Sequence, residues 1–131
     1  MHRLSLIGIL CLVPLTSGCL AAAGLTVGAA GVVGYVYYDK NEAQRDFAAN
    51  FDKTWKATFE ALRTLKYAVP KEPEHSTDSG DLTIGNVRIS VARNPGNTTR
   101  VSIRIGIFDT EDHRRRAGLI FEKIEELLRG K

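Results

Sequence analysis

A chain of 131 residues with 18 basic and 15 acidic side chains carries a net charge of only +3. So mild a balance gives no reason to expect a nucleic-acid partner. With 3 histidines and 2 cysteines, little material is present for a metal centre or a disulfide framework.

The chain opens with Met1-His2-Arg3, a positive start, followed by an apolar run from Leu4 to Leu15. Pro14 breaks that run before the small residues Thr16-Ser17-Gly18 and then Cys19. At about a dozen residues the run is too short to span a bilayer by itself. The pattern is that of a lipoprotein leader. Residues 1–18 are therefore expected to be a signal peptide, with Cys19 the first mature residue, acylated on its sulfur and amino group. One departure is Thr16, three places before the cysteine, where leucine is commoner; Leu15 lies one place earlier. Cys11 goes with the leader and Cys19 is capped by lipid, so no disulfide and no thiol is left. Losing Arg3 from the 18 basic residues leaves 17 against 15 acidic, a net +2, and a secreted address independently excludes nucleic acid. Leu20, rather than aspartate, follows the cysteine. That resembles lipoproteins sent to the outer membrane, so the expected place is its periplasmic face.

Residues 19–41 read as a membrane-proximal tether. Leu20 to Tyr38 is uncharged and rich in Ala, Gly and Val, and it closes on Tyr35, Tyr37, Tyr38, Asp39 and Lys40. As one helix it would rise about 28 Å, close to the thickness of the hydrocarbon layer. Its hydropathy is weak for a span, and the acyl chains already anchor it at about 0.8 kcal/mol per buried methylene. A tether lying on the membrane is the favoured reading and a true span the alternative. Gly24 and Gly28 form one G-x-x-x-G, which lets helices pack closely in lipid.

Residues 42–131 are left for one small globular domain. Phe51, Trp55, Phe59, Leu62 and Leu65 recur at helical spacing and predict a helix from Phe51 to Leu65, capped by Asn50. Trp55 sits inside that stripe, which makes it a core residue rather than a ligand platform. Tyr67-Ala68-Val69 reads as a short strand, Pro70 to Gly80 as a polar loop, and Leu82-Thr83-Ile84 as the start of another strand. Val87, Ile89 and Val91 alternate with polar or small residues, as do Val101, Ile103, Ile105 and Ile107. Asn94-Pro95-Gly96-Asn97 turns one run into the other, predicting an antiparallel hairpin. Ala117, Ile120, Phe121, Ile124, Leu127 and Leu128 predict a closing amphipathic helix, capped by Asp109 or Thr110 and ended by Gly130. The fold class expected is α+β: a two-layer domain with an antiparallel sheet, two amphipathic helices on one face and water on the other.

The stretches Phe51 to Leu62, Thr99 to Gly106 and Ile120 to Leu128 resemble a domain-of-unknown-function family of small bacterial envelope lipoproteins. In that family a lipidated cysteine, a Gly/Ala tether, a Trp-containing helix, a hairpin and a last helix follow in this order. This chain has Phe108-Asp109 where that family tends to place a glycine-aspartate turn. More loosely, the order resembles repeats in lipoproteins that assist outer-membrane protein assembly. The resemblance implies fold and address; it implies no activity.

Little in the chain looks catalytic. His75, Asp78 and Asp81 form a triplet at i, i+3 and i+6 in a loop; a metal could use them, yet polar loops make such triplets routinely, and no metal site is expected. His113 is expected to be solvated. No serine lies in a nucleophile elbow, no phosphate loop is present, and Glu125 and Glu126 fall on the outer face of the last helix. Neither catalytic residues nor cofactors are expected. In Arg114-Arg115-Arg116, pairing from Glu111 and Asp112 four residues earlier would neutralise much of the charge. The sheet differs: from Leu82 to Arg104 there are four arginines and no acid. By strand parity Arg88, Arg100 and Arg104 share the open face, while Arg93 does not. Arginine forks suit carboxylates and phosphates, so these three are the candidate anion- or partner-binding residues. The expected function is a lipid-anchored, non-catalytic binding or adaptor module meeting an anionic envelope partner, whether protein, lipid head group or glycan. The alternative is a structural envelope protein that self-associates through Gly24 and Gly28. A metal-dependent hydrolase built on His75 is the weakest reading.

Overall fold

A computed structural model describes residues 32–71 and 74–130, the side chains of 32–35 aside. The signal peptide, Cys19, Gly24 and Gly28 lie outside the described residues. The elements run β1 (Val32–Asp39), β2 (Glu42–Phe47), α1 (Phe51–Thr64), β3 (Ser79–Ile84), β4 (Val87–Asn94), β5 (Thr98–Ile105) and α2 (Glu111–Leu128). The five strands make one antiparallel sheet in the order β1-β2-β5-β4-β3. Both helices pack on the same face of it, giving the α+β, two-layer arrangement that the alternation and the two apolar stripes predict.

The hairpin at the centre follows from its sequence. Val87, Ile89 and Val91 face Ile105, Ile103 and Val101 across the ladder, and all six are buried. Gly96 and Asn97 take positive φ, 79° and 57°, in the tight turn between them, a conformation that glycine and asparagine adopt most readily. Gly85, at φ 58°, begins the two-residue turn from β3 to β4.

Each helix is fixed at its ends. The Asn50 side chain accepts a 2.9 Å bond from the Lys53 amide at the start of α1. At the other end the Lys66 amide donates to the Arg63 carbonyl and the Tyr67 amide to the Leu62 carbonyl, the paired bonds of a Schellman close. Thr110 caps α2 by accepting from the His113 amide. Phe51, Trp55, Ala61 and Leu62 of α1 meet Ala117, Ile120, Phe121 and Ile124 of α2 in one buried cluster with the sheet. Full burial of each large side chain stabilises by about 1.5–3 kcal/mol.

Three expectations are corrected. Tyr67-Ala68-Val69 is not a strand; its first amide closes α1 and the Val69 amide donates to the Tyr67 carbonyl, so the segment is a turn whose Tyr67 and Val69 pack on the core. The tether reading of 19–41 does not hold for its last part, because Val32–Asp39 is a strand paired with β2. Valines and tyrosines there suit a pleated surface. The boundary at residue 42 consequently runs through a hairpin, and β2, absent from the sequence reading, is inserted between β1 and β5.

Candidate functional site

The sheet face away from the helices is built by parity. β4 turns Arg88, Ser90 and Ala92 outward, β5 turns Arg100, Ser102 and Arg104 outward, and β2 adds Glu42, Gln44 and Asp46. The register orders them into cross-strand rows. One row reads Asp39, Glu42, Arg104, Arg88, Thr83; the next reads Tyr37, Gln44, Ser102, Ser90, Asp81; a third holds Asp46, Arg100, Ala92 and Ser79. All three arginines singled out from the sequence therefore share this face, as strand parity requires, and all are exposed.

Their electrostatics differ from the expectation. β2 brings two carboxylates onto a surface that looked purely basic. Arg100 grips Asp46 bidentately, Nε to Oδ1 at 2.8 Å and Nη2 to Oδ2 at 3.0 Å. Asn94 adds a 3.0 Å bond to the same carboxylate. The hydrogen bond and the charge of Asp46 raise the already high pKa of Arg100. Arg104 donates to Glu42 Oε2 at 3.2 Å, while Gln44 holds Oε1 at 2.8 Å. Arg88 has no carboxylate partner among the described residues. It stands directly opposite Arg104 and beside Thr83, a like-charge pairing that disfavours the sheet unless something else compensates it. Of the three arginines, two are paired with carboxylates within the fold and Arg88 is not, among the described residues.

Two depressions surround Arg88. A small one, of about 170 Å³, lies between Glu42, Arg88, Ser90, Ser102 and Arg104. A larger groove of about 440 Å³ opens at the end of the sheet, where Arg88 and Arg104 meet Asn41, Thr83, Asn86 and Ile107.

The other residues weighed from the sequence fall elsewhere. Trp55 is core, stacked on Phe51 with centroids 6.0 Å apart. His75 lies 5.2 Å from the Trp55 ring and pairs in a short bridge with Gly80. Asp78 is bound to Arg93 at 3.1 Å, and no three metal-ligating side chains converge among the described residues. His113 is not simply solvated: it is half-buried, with Nδ1 2.8 Å from the Phe108 carbonyl. Two of the three arginines of the triplet are paired with acids, in different pairings from those expected, and the third meets a neutral hydroxyl. Arg114 binds Asp109, Arg115 binds Asp112 at 2.5 Å, and Arg116 reaches the Tyr67 hydroxyl at 3.5 Å. Hydrogen bonding to Arg114 holds the Asp109 carboxyl below the usual carboxylate range. Glu125 does not lie on an outer face; it turns inward to Arg45 at 3.0 Å, both side chains mostly buried.

No helix among the described residues is long and apolar enough to cross a membrane. A family model described as a protein of unknown function (DUF3568) matches residues 3–126. No curated protein matches the chain.

Proposed function

The chain belongs to the DUF3568 family of proteins of unknown function, and on that premise we propose that it is a lipid-anchored, non-catalytic binding module of the bacterial envelope. The open sheet face is its working surface and Cys19 its anchor, at the periplasmic side of the outer membrane. One observation carries the reading: among the described residues Arg88 is held without a carboxylate partner on a face where Arg100 and Arg104 each have one. An anionic group on a partner would make a charge-assisted pair with Arg88. The leader pattern before Cys19 supports the anchor.

The test is a photo-crosslinking residue at Ser90 or Ser102, which flank the arginines on the same face, in the full-length protein in cells. A discrete protein, lipid or glycan adduct is expected. Its absence, with the protein correctly in the membrane, would leave the arginines as a solvated surface and end this reading. Cys19→Ala is expected to abolish incorporation of labelled palmitate into the protein; unchanged labelling would contradict a lipid anchor at that residue.

A further inference from the structure

Where the sheet ends, the groove beside Arg88 has a second kind of wall. Gly106 leaves β5 at φ 67°, and an ideal Cβ there would lie 2.6 Å from His113 Cε1. Its amide donates to the Asn86 carbonyl at 2.8 Å. Asn41 Nδ2 then donates to the carbonyls of both Gly106 and Ile107, at 3.1 and 2.9 Å. The His113 ring meets the Phe108 carbonyl. The backbone of this connection is thus tied on several sides, yet it presents Ile107 and Phe108 to water at 83% and 75% exposure. An exposed Ile107 on a tied backbone, in the same groove as Arg88, makes an amphipathic site rather than a loose end.

We propose that this groove binds the C-terminal residue of a partner polypeptide, with Arg88 on the terminal carboxylate and Ile107 against an apolar last side chain; this rests on the reading of the open face as a binding surface. The charge count selects the anion. Among the described residues Arg88 is the guanidinium of the groove with no carboxylate bonded to it, while Asp39 and Glu42 in its row and Asp81 in the next already place negative charge on the same face. A monoanionic carboxylate is matched there, whereas a dianionic phosphate would keep an excess charge facing Glu42. The groove's form selects the polypeptide. It is open, and Thr83, Asn41 and Asn86 make its walls polar as well as apolar, so a long alkyl tail would stay in water. A peptide end offers amide groups for those side chains. About 440 Å³ lies within the range of small-ligand sites.

The experiment uses the full-length protein in detergent micelles and a fluorescein-labelled hexapeptide, Gly-Ser-Gly-Ser-Leu-Phe, as the free acid and as the C-terminal amide. Fluorescence anisotropy should show saturable binding of the acid. The amide should bind about tenfold more weakly or less, since a hydrogen-bonded charge is removed. Arg88→Gln should weaken the acid to the level of the amide, and Ile107→Ser should weaken both forms, with circular dichroism unchanged. Arg100→Gln, which breaks an internal pair instead, should leave binding in place. Equal affinities for acid and amide, no saturable binding at millimolar protein, or indifference to Arg88→Gln would overturn the proposal. Palmitate binding in preference to the peptide would overturn it in favour of a fatty acid. If Ser90 or Ser102 still yields adducts in cells while the acid shows no advantage, the binding face stands and the carboxylate assignment alone falls.

Discussion

An ideal Cβ on Gly80 would stand 2.6 Å from Trp55 Cζ3 and 2.9 Å from the His75 Cβ. The first neighbour is the rigid ring of a buried side chain, so no small adjustment makes room. Gly80→Ala is expected to cost about 1–3 kcal/mol, the usual range for overpacking. Denaturant unfolding followed by the emission of the single tryptophan measures it; an unchanged midpoint would refute the close approach. Lys66 presents the opposite situation. It holds φ 67° as the residue after the Leu65 cap, a place where glycine meets no steric penalty. Lys66→Gly should therefore stabilise by about 1 kcal/mol, read as a higher melting temperature. The sequence carries both sites only as identities. Gly80 looks like any loop glycine until Trp55 is seen beside it, and nothing about Lys66 announces a left-handed backbone.

Asp109 connects the residue scale to its neighbours. Its pKa is lowered mainly by the hydrogen bond from Arg114, so its folded value lies below its unfolded one. Such a group stabilises above its unfolded pKa, near 4, and that stabilisation is lost as pH falls through the folded value. Asp109→Asn should melt lower than the parent at neutral pH, and the gap should close as acid protonates the carboxyl in the folded protein. Because the pair is exposed, the effect is small. A gap that widened in acid would show that the sign is wrong.

At the scale of elements, legibility followed alternation. β4 and β5 were plain because β-branched residues fill the inward positions 87, 89, 91, 99, 101, 103 and 105, and α1 and α2 because their apolar stripes persist over several turns. β2 was hidden for a physical reason. Its inward positions hold Ala43, Arg45 and Phe47, and Arg45 reads as a surface residue until Glu125 is placed above it. Missing β2 meant missing Glu42 and Asp46, and with them the neutralisation of Arg104 and Arg100. The sequence therefore located the face and its arginines but overstated its charge. Glu42→Gln combined with Asp46→Asn restores the basic surface that the sequence implied. Surface pairs of this kind contribute about 1 kcal/mol or less each, so the double variant should fold with only a modest loss in denaturant midpoint. Its crosslinking to an anionic partner should rise, because two more guanidinium groups are released. A collapse of the fold would mean that these pairs hold the sheet together instead of tuning its surface.

The whole molecule has a direction. β1 starts at the end of the sheet where Val32 pairs with Phe47, and finishes where Asp39 pairs with Glu42. Glu42 is in the row of Arg104 and Arg88. Eight residues of strand at about 3.3 Å each separate the chain's approach from the groove by roughly 25 Å. The Arg88 groove thus opens at the end of the sheet away from the one where β1 begins. This arrangement makes one comparison decisive. With the photo-crosslinker at Ser90 in the full-length protein in cells, adduct yield is compared between Arg88→Ser and Arg100→Ser. The account predicts that Arg88→Ser removes the adduct and Arg100→Ser leaves most of it, because Arg100 is held by Asp46 whereas Arg88 has no carboxylate partner among the described residues. Equal losses, or a loss confined to Arg100→Ser, would contradict it.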